Sequence, residues 1–317
     1  MNASLYDVIV LGSGPAGWTA GIYAIRAGRK TLLITGIRWG GQLMLTTLVE
    51  NYPGFVEGIQ GPDLMMNMRK QTERLGVEVV NTDFSEADFS SRPFKITADN
   101  KIYEAKSVII ATGADDIWLN VPGEMQLRGK GVSTCATCDA FFFRNKDVIV
   151  VGGGDSAMEE ALFLSNVCKS VTIIHRRDKF RASKIMQQRV FDNPKIKIIW
   201  NKVVTKYIGP DKVTAVVLKD TKTGKEEEYK IDGVFVAIGH KPNTDKFRGI
   251  ELDPMGYIVR KEEKDKNGLL KYFSATSVAG VFVSGDVHDY RYKQAITAAA
   301  FGCMAALDAD RWLGENS

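Results

Sequence analysis

Cysteine and histidine are scarce in this sequence, and their scarcity excludes two common architectures. The 317 residues include four cysteines and three histidines. Four cysteines are too few for a secreted disulfide scaffold of this length. Cys168 and Cys303 each stand alone, and no histidine lies at a metal-ligand spacing from a cysteine. We therefore expect no bound metal. The closely spaced pair, Cys135 and Cys138, needs a different explanation.

Long hydrophobic runs and a strong charge imbalance are also lacking. The longest weakly polar stretch, residues 295–307, is too short to span a bilayer and favours a buried helix. The first residues show neither the basic segment nor the apolar run of a signal peptide. The net charge of +4 is mild and gives no argument for nucleic-acid binding. We expect a cytoplasmic globular protein without a membrane or nucleic-acid partner.

A strand, a glycine turn and a helix occur twice along the chain. The first copy has a strand at 7–11, a glycine turn at 12–17, a helix to 27 and a strand at 31–35. The second has a strand at 147–151, a glycine turn at 152–157, a helix to about 167 and a strand at 171–174. Each copy closes with an apolar strand that ends in glycine, at 107–113 and at 233–239. Both patterns are typical of parallel β-α-β units.

The order of these units predicts a fold in which one domain is inserted in another. We expect an α/β protein with two Rossmann-like, three-layer ββα nucleotide-binding domains. The first domain would comprise residues 1–115 and 246–317, and the inserted domain residues 116–245. The polar stretch 261–271 is predicted to be an exposed loop.

Each glycine turn is suited to a dinucleotide, because glycine permits close backbone approach and the following helix presents amides to a pyrophosphate. Two such turns imply two cofactors. After the second strand of the second copy, the sequence reads His175-Arg176-Arg177, with Arg181 close behind. Arginine at this position can neutralise a 2′-phosphate, so we expect NADPH. A solvated basic face or a nucleic-acid patch is the alternative.

The pair Cys135 and Cys138 lies a few residues before the second nucleotide-binding unit. Two cysteines separated by two residues can close a small disulfide ring, and such motifs lower a thiol pKa. The spacing predicts dithiol and disulfide redox chemistry beside a dinucleotide site. Cys168 and Cys303 are expected to be structural. His240 and His288 follow strand ends at glycine turns, where either a cofactor contact or a loop role is possible.

Taken in order, the motifs resemble those of low-molecular-weight thioredoxin reductases. The residues that carry the resemblance are Gly12 to Gly17, Gly40-Gly41-Gln42-Leu43, Glu50-Asn51-Tyr52-Pro53-Gly54, Cys135-Ala136-Thr137-Cys138-Asp139, His175-Arg176-Arg177 and Gly285-Asp286-Val287. The resemblance runs from about Tyr6 to Leu313. It implies that the two outer segments bind FAD and the insert binds NADPH.

The resemblance also implies a set of cofactor-binding residues. For FAD these are Gly12, Gly14, Pro15, Ala16, Gly17, Gly41, Gln42, Leu43, Asn51, Thr112, Gly113, Gly285, Asp286, Lys293, Gln294 and Ala295. For NADPH they are Gly152, Gly154, Asp155, Ser156, His175, Arg176, Arg177, Arg181, Ile238 and Gly239. Lys293 stands where similar enzymes commonly have Arg, and Ala140 where many have Gly.

In similar enzymes electrons pass from NADPH to FAD, then to the disulfide, here Cys135–Cys138, and finally to thioredoxin. The resemblance implies that Cys138 faces the flavin and that Cys135 attacks the partner disulfide. Asp139 matches the acid that protonates a leaving thiolate; the alternative is a helix cap or surface carboxylate. A homodimer is also implied.

Two other functions are compatible with parts of the sequence. A flavin-dependent oxidase of a small dithiol metabolite shares this fold and a Cys-x-x-Cys pair, but does not need the arginine-marked NADPH site. A redox sensor that merely retains nucleotides is the non-enzymatic alternative. The intact thiols and both glycine turns favour the reductase.

Overall fold

The computed structural model describes residues 5–46 and 48–316, and the chain divides into two compact units. Unit 1 comprises Met1–Asp115 and Lys241–Ser317, and unit 2 comprises Asp116–His240. The second boundary therefore falls at 240/241, whereas the sequence suggested 245/246. Asn243 explains the difference, because its N–H donates to the Gly113 carbonyl at 3.0 Å and its Nδ2 to the Thr112 carbonyl at 3.1 Å. Among the described residues no helix is both long and apolar enough to cross a membrane.

The first segment of the chain contributes most of the unit 1 sheet. Its elements are β1 (Leu5–Leu11), α1 (Pro15–Arg26), β2 (Thr31–Ile34), a 3-10 helix (Gly41–Leu45), β3 (Leu48–Val49), β4 (Ile59–Gln60), α2 (Gly61–Arg74), β5 (Glu78–Val80), β6 (Phe84–Asp88), β7 (Phe94–Ala98), β8 (Lys101–Ile110) and β9 (Ala114–Asp116).

The insert contains the second set of strands and helices. Its elements are α3 (Glu124–Leu127), β10 (Val132–Ser133), α4 (Ala136–Asp139), a 3-10 helix (Ala140–Phe143), β11 (Asp147–Gly152), α5 (Asp155–Val167), β12 (Ser170–His175), α6 (Lys184–Phe191), β13 (Ile196–Trp200), β14 (Lys202–Ile208), β15 (Ala215–Asp220), β16 (Glu226–Lys230) and β17 (Gly233–Ala237).

The last segment returns to unit 1. Its elements are β18 (His240–Pro242), β19 (Phe247–Arg248), β20 (Lys261–Lys264), β21 (Leu270–Ala275), β22 (Val281–Val283), a 3-10 helix (Gly285–Val287) and α7 (Ala295–Glu315). The polar stretch that we expected to be a loop instead belongs to the antiparallel hairpin of β20 and β21. Its turn is closed by Asp265, whose carboxylate accepts the N–H groups of Asn267 and Leu269 at 2.8 and 2.9 Å.

The centre of unit 1 is the buried strand β1. It pairs in parallel with β2 on one side and β8 on the other, and β22 pairs in parallel with β8. The residues from Val8 to Leu11 are fully buried, which accounts for their continuous apolar sequence, since helices and strands cover both sheet faces. The C-terminal ends of β1, β8 and β22 lead into the first glycine turn, Thr112-Gly113 and Gly285, respectively.

Helices α1 and α7 pack closely through small side chains. Buried alanines and glycines face each other, among them Ala16 and Ala20 on α1 and Gly302 and Ala305 on α7. A Cβ at Gly302 would meet the carbonyl oxygen of Ala16. The small side chains therefore set the distance between these two helices, and through it the position of both helix N-termini.

Unit 2 repeats the parallel plan. Its sheet has the order β10-β17-β11-β12-β13, with all four pairings parallel. A separate antiparallel sheet, β14-β15-β16, covers part of its core. Helix α5 follows β11 through the second glycine turn and packs on the parallel sheet through Ala157, Met158 and Ala161.

Candidate active site

The thiol pair lies in unit 2 on a very short helix. Cys135 and Cys138 are joined by a disulfide, with Cys135 at the N-cap of α4. The Cys135 N–H donates to Ser133 Oγ at 3.0 Å, and the Asp139 N–H donates to the Cys135 carbonyl at 3.2 Å. Cys138 is exposed and Cys135 half-buried. Hydrogen bonds thus fix the backbone around Cys135, while Cys138 is exposed at the surface of the chain.

Asp139 follows the pair directly, at the end of α4. Burial raises the pKa of its carboxyl above the ordinary value, and the hydrogen bond with Ser133 opposes part of this rise. A carboxyl with a raised pKa retains its proton closer to neutral pH, as a general acid requires. The electrostatics are therefore those expected of an acid next to a leaving thiolate.

A second polar group contacts the segment just before the disulfide. Thr134 Oγ1 donates to Asp116 Oδ2 at 2.8 Å, and Asp116 Oδ1 lies 3.0 Å from His240 Nε2. Of the two roles left open for His240, the contact with Asp116 supports the loop role. The sequence alone did not single out Ser133, Thr134 and Asp116, because isolated Ser, Thr and Asp residues form no recognisable motif.

The first glycine turn, in unit 1, leaves the start of α1 accessible. Gly12 has a φ of +111°, and a Cβ there would meet the Ala111 carbonyl. Gly14 is the N-cap of α1, has no side-chain cap, and has open space where a Cβ would project. Pro15 begins the helix, and the buried Ala16 and Gly17 follow. Uncapped amides beside open space suit a pyrophosphate, so this turn fits the phosphate part of FAD.

Other residues predicted to bind FAD are brought together in unit 1. Asn51 Nδ2 donates to Gln294 Oε1 at 3.2 Å, although the two residues are far apart in sequence. Gln42 Nε2 donates to Asp115 Oδ1 at 3.0 Å, and Thr112 Oγ1 to the Asn243 carbonyl at 2.8 Å. The remaining positions lie in 3-10 helices or turns: Gly41 and Leu43 in Gly41–Leu45, Gly113 at φ +70°, and Gly285 and Asp286 in Gly285–Val287.

The loop before α7 is held by a buried carboxylate that the sequence did not single out. Asp289 accepts the N–H groups of Arg291, Tyr292 and Lys293 at 3.0, 2.8 and 3.0 Å. Lys293 adopts a left-handed φ of +48°, and Gln294 then forms a capping box with Thr297, so that Ala295 begins α7. The three successive bonds place Lys293 and Gln294 at the helix N-terminus.

His288 adjoins this loop but does not offer a charged ring. Burial lowers its pKa to about 4, and the ring packs edge-on against Phe301 with centroids 4.6 Å apart. The imidazole is therefore neutral at pH 7. Of the two roles left open for His288, this environment favours the loop role, with the ring packed against Phe301 of α7.

The second glycine turn, in unit 2, leaves the start of α5 accessible in the same way. Gly154 is the N-cap, without a side-chain cap, and has open space at its Cβ position. A Cβ at Gly152 would meet the Ala237 carbonyl, close to Ile238 and Gly239 at the end of β17. Asp155 Oδ1 accepts both the N–H and the hydroxyl of Ser183, at 2.9 and 2.8 Å. Ser156 is exposed. The turn fits the pyrophosphate of NADPH.

The basic residues after β12 separate into two environments. Arg176, Arg177 and Arg181 are exposed, and within residues 5–46 and 48–316 no carboxylate forms a salt bridge with them. His175 is buried, with Nδ1 2.9 Å from the Gly152 carbonyl and Nε2 3.0 Å from the Lys179 carbonyl. The exposed guanidinium groups suit a 2′-phosphate, whereas His175 connects the glycine turn to the basic loop.

The two other cysteines lie away from the disulfide. Cys168 belongs to the core of unit 2, and burial raises its thiol pKa to about 11. Cys303 is half-buried on α7. Among the residues that the structure describes, no cluster of three or more His, Cys, Asp or Glu side chains could hold a metal ion.

Comparison with known proteins identifies the class. The family model described as pyridine nucleotide-disulphide oxidoreductase matches residues 6–302. The chain therefore belongs to the pyridine nucleotide-disulphide oxidoreductase family. The chain is 51% identical over 316 residues to the thioredoxin reductase of Mycolicibacterium smegmatis, covering 99% of both chains. It is 50% identical to that of Rickettsia felis, covering 97% of this chain and 98% of the relative.

Solved structures agree with the sequence relatives. A thioredoxin reductase from Giardia duodenalis has a TM-score of 0.92 at 42% identity, with 98% of this chain and 99% of that chain covered. The enzyme from Streptococcus pyogenes has a TM-score of 0.90 at 39% identity, with 99% and 100% covered. These matches confirm the predicted resemblance, the fold class with two Rossmann-like nucleotide-binding domains, and an oxidoreductase that uses FAD and NADPH.

Proposed function

We propose that this enzyme is a thioredoxin-disulfide reductase in which electrons pass from NADPH through FAD to the Cys135–Cys138 disulfide and on to thioredoxin. The observation that carries the proposal is the disulfide itself, which lies on the unit that also bears the arginine-marked glycine turn. The relatives at about half identity are named thioredoxin reductases. A dithiol oxidase is not favoured by these relatives, and it would leave the exposed arginines without a role.

Unit 1 would hold the flavin and unit 2 the nicotinamide nucleotide. The amides that begin α1 would bind the FAD pyrophosphate, and the loop fixed by Asp289 would present Lys293 and Gln294 to the ring system. The amides that begin α5 would bind the NADPH pyrophosphate, with Arg176, Arg177 and Arg181 on the 2′-phosphate. When bound, the flavin supplies two-electron transfer between nicotinamide and disulfide.

Cysteine chemistry then completes the reaction. With the pair reduced, the Cys135 thiolate attacks the thioredoxin disulfide and forms a mixed disulfide, and one thioredoxin sulfur leaves as a thiolate. Asp139 donates the proton that this leaving thiolate takes up. The Cys138 thiolate attacks Cys135 and releases the second thioredoxin sulfur. The Cys135–Cys138 bond reforms, and thioredoxin gains two electrons and two protons, one proton from Asp139 and the other from solvent.

We also propose a homodimer in the cytoplasm. Both follow from the resemblance to thioredoxin reductases, and the scarcity of cysteine suits a reducing compartment. Sedimentation equilibrium of the purified protein measures the oligomeric state directly. A molecular mass of about twice 35.0 kDa supports the dimer, and a mass equal to one chain contradicts it.

The activity is tested by following NADPH oxidation with thioredoxin as the acceptor. We expect two new thioredoxin thiols for each NADPH consumed, and loss of this activity in Cys135→Ser. Cys303→Ser, which changes a cysteine outside the pair, should retain it. The proposed function is contradicted if NADPH oxidation does not depend on thioredoxin. It is also contradicted if Cys135→Ser still oxidises NADPH and forms thioredoxin thiols.

A further inference from the structure

Glu160 binds the disulfide segment from a neighbouring helix. It is the sixth residue of α5, which begins at the second glycine turn, and it is half-buried. The Ala136 N–H donates to Glu160 Oε2 at 3.2 Å, across 24 positions of sequence. Helix α5 therefore begins at the second glycine turn and, about one turn later, holds Ala136, one of the two residues between the cysteines.

The Ala136 amide needs such a partner. Ala136 is the first residue of α4 and is 1% exposed. The first amides of a helix have no acceptor within it, and a buried amide without an acceptor costs about 1–3 kcal/mol. Ser133 already binds the preceding amide, that of Cys135. Glu160 supplies the acceptor for the next amide and thereby fixes the start of α4.

The charge of Glu160 has a second effect, on the reduced state. Cys135 directly precedes α4, and the Glu160 carboxylate accepts the hydrogen bond of the next amide, that of Ala136. A negative charge at this position opposes a thiolate on Cys135. Among the described residues, the other titratable groups near this segment include Asp139 and the Asp116–His240 pair reached through Thr134.

We propose that Glu160 is a positioning residue that fixes the disulfide segment and makes the Cys135–Cys138 dithiol a stronger reductant. The inference rests on the proposed function, because it concerns the same thiol pair. A carboxylate that disfavours the thiolate destabilises the dithiol form relative to the disulfide. The couple is then harder to reduce, and once reduced it transfers electrons to an acceptor more completely.

The equilibrium constant of the couple is the direct readout. The full-length FAD-bound enzyme is equilibrated with reduced and oxidised dithiothreitol. The reagent dithiol becomes a cyclic disulfide while the Cys135–Cys138 bond breaks and takes up two electrons and two protons. Acid quenching, alkylation and mass spectrometry then give the fraction of reduced enzyme. This measurement needs neither thioredoxin nor NADPH, so its outcome is separate from that of the activity assay.

Glu160→Gln keeps the size of the side chain and an acceptor oxygen but removes the charge. We expect its equilibrium to shift about tenfold towards the dithiol at alkaline pH, which corresponds to about 30 mV for a two-electron couple. The shift should shrink at acid pH, where the thiols are protonated in both proteins. Glu228→Gln removes an exposed carboxylate elsewhere in unit 2 and should behave as the parent.

Glu160→Asp separates charge from geometry, because it retains the carboxylate on a shorter side chain. We expect its equilibrium to stay within twofold of the parent, and melting temperature and flavin absorbance establish that each variant is folded. A shift in Glu160→Asp as large as in Glu160→Gln overturns the electrostatic account. So does an unshifted Glu160→Gln, a shift that does not depend on pH, or an equal shift in Glu228→Gln.

Discussion

At the end of β12 the chain turns one imidazole into the core and leaves the next two guanidinium groups exposed. His175 lies between the carbonyls of Gly152 and Lys179, and a Cβ at Gly153 would collide with its ring. The cluster of basic residues predicted a phosphate site but did not distinguish the buried imidazole from the exposed guanidinium groups. That distinction depends on side-chain direction at a strand end, which residue types alone do not reveal.

The exposed arginines give a cofactor-specific prediction at the residue scale. Replacing Arg176 and Arg177 together by Ala removes two charge-assisted donors, each contributing about 1.5–3 kcal/mol. We expect the KM for NADPH to rise by at least about 100-fold, with little change for NADH, which lacks the 2′-phosphate. Steady-state kinetics with both nucleotides measure this. Lys197→Ala, at an exposed position on β13, serves as the charge control; an equal effect on NADPH and NADH contradicts the assignment.

Asp139 gives a prediction about pH. Because burial raises its pKa, the protonated acid persists above the ordinary carboxyl range and is lost as pH rises through the raised value. Thioredoxin reduction should slow as pH rises through it. In Asp139→Asn the rate should fall on the order of 100-fold or more, and this limb of the pH profile should disappear. A variant that retains the parent's profile would show that Asp139 is not the acid.

At the scale of elements, the sequence predicted most of the regular structure. Strands 7–11 and 147–151 correspond to β1 and β11, and both glycine turns begin helices as expected. The hairpin of β20 and β21 was mistaken for a loop because its exposed residues are mostly charged. Contacts such as Glu160 with Ala136, or Asp289 with its loop, could not be predicted, because they depend on how separate elements pack.

The close packing of α1 on α7 can be tested at Gly302. A Cβ there would meet the Ala16 carbonyl, so Gly302→Ala should lower the free energy of unfolding by about 1–3 kcal/mol. FAD should also be retained less well, since both helix N-termini would shift. Gly314→Ala is the matched control near the other end of α7, where the nearest atom lies 3.9 Å from the added Cβ. Denaturant unfolding and flavin release measure both effects; equal behaviour of the two variants would contradict the packing argument.

For the whole molecule, two nucleotide-binding units and one disulfide have to act in sequence. The duplicated β-α-β pattern predicted both units, and the spacing of Cys135 and Cys138 predicted the disulfide that the structure contains. The structure divides the units at 240/241, where the hydrogen bonds of Asn243 to Thr112 and Gly113 join segments that are distant in sequence. In the proposed path, electrons reach thioredoxin through the flavin and then through this disulfide.

The two halves of that path are separated by Cys138→Ser. NADPH is added anaerobically to the variant, flavin absorbance is followed at each addition, and thioredoxin is then supplied while thiols are measured. We expect NADPH to bleach the flavin of the variant as it does in the parent, because the nucleotide and flavin sites are unchanged. No thioredoxin thiols should form, because the redox-active disulfide is gone. Sustained reduction of thioredoxin by Cys138→Ser would contradict the account.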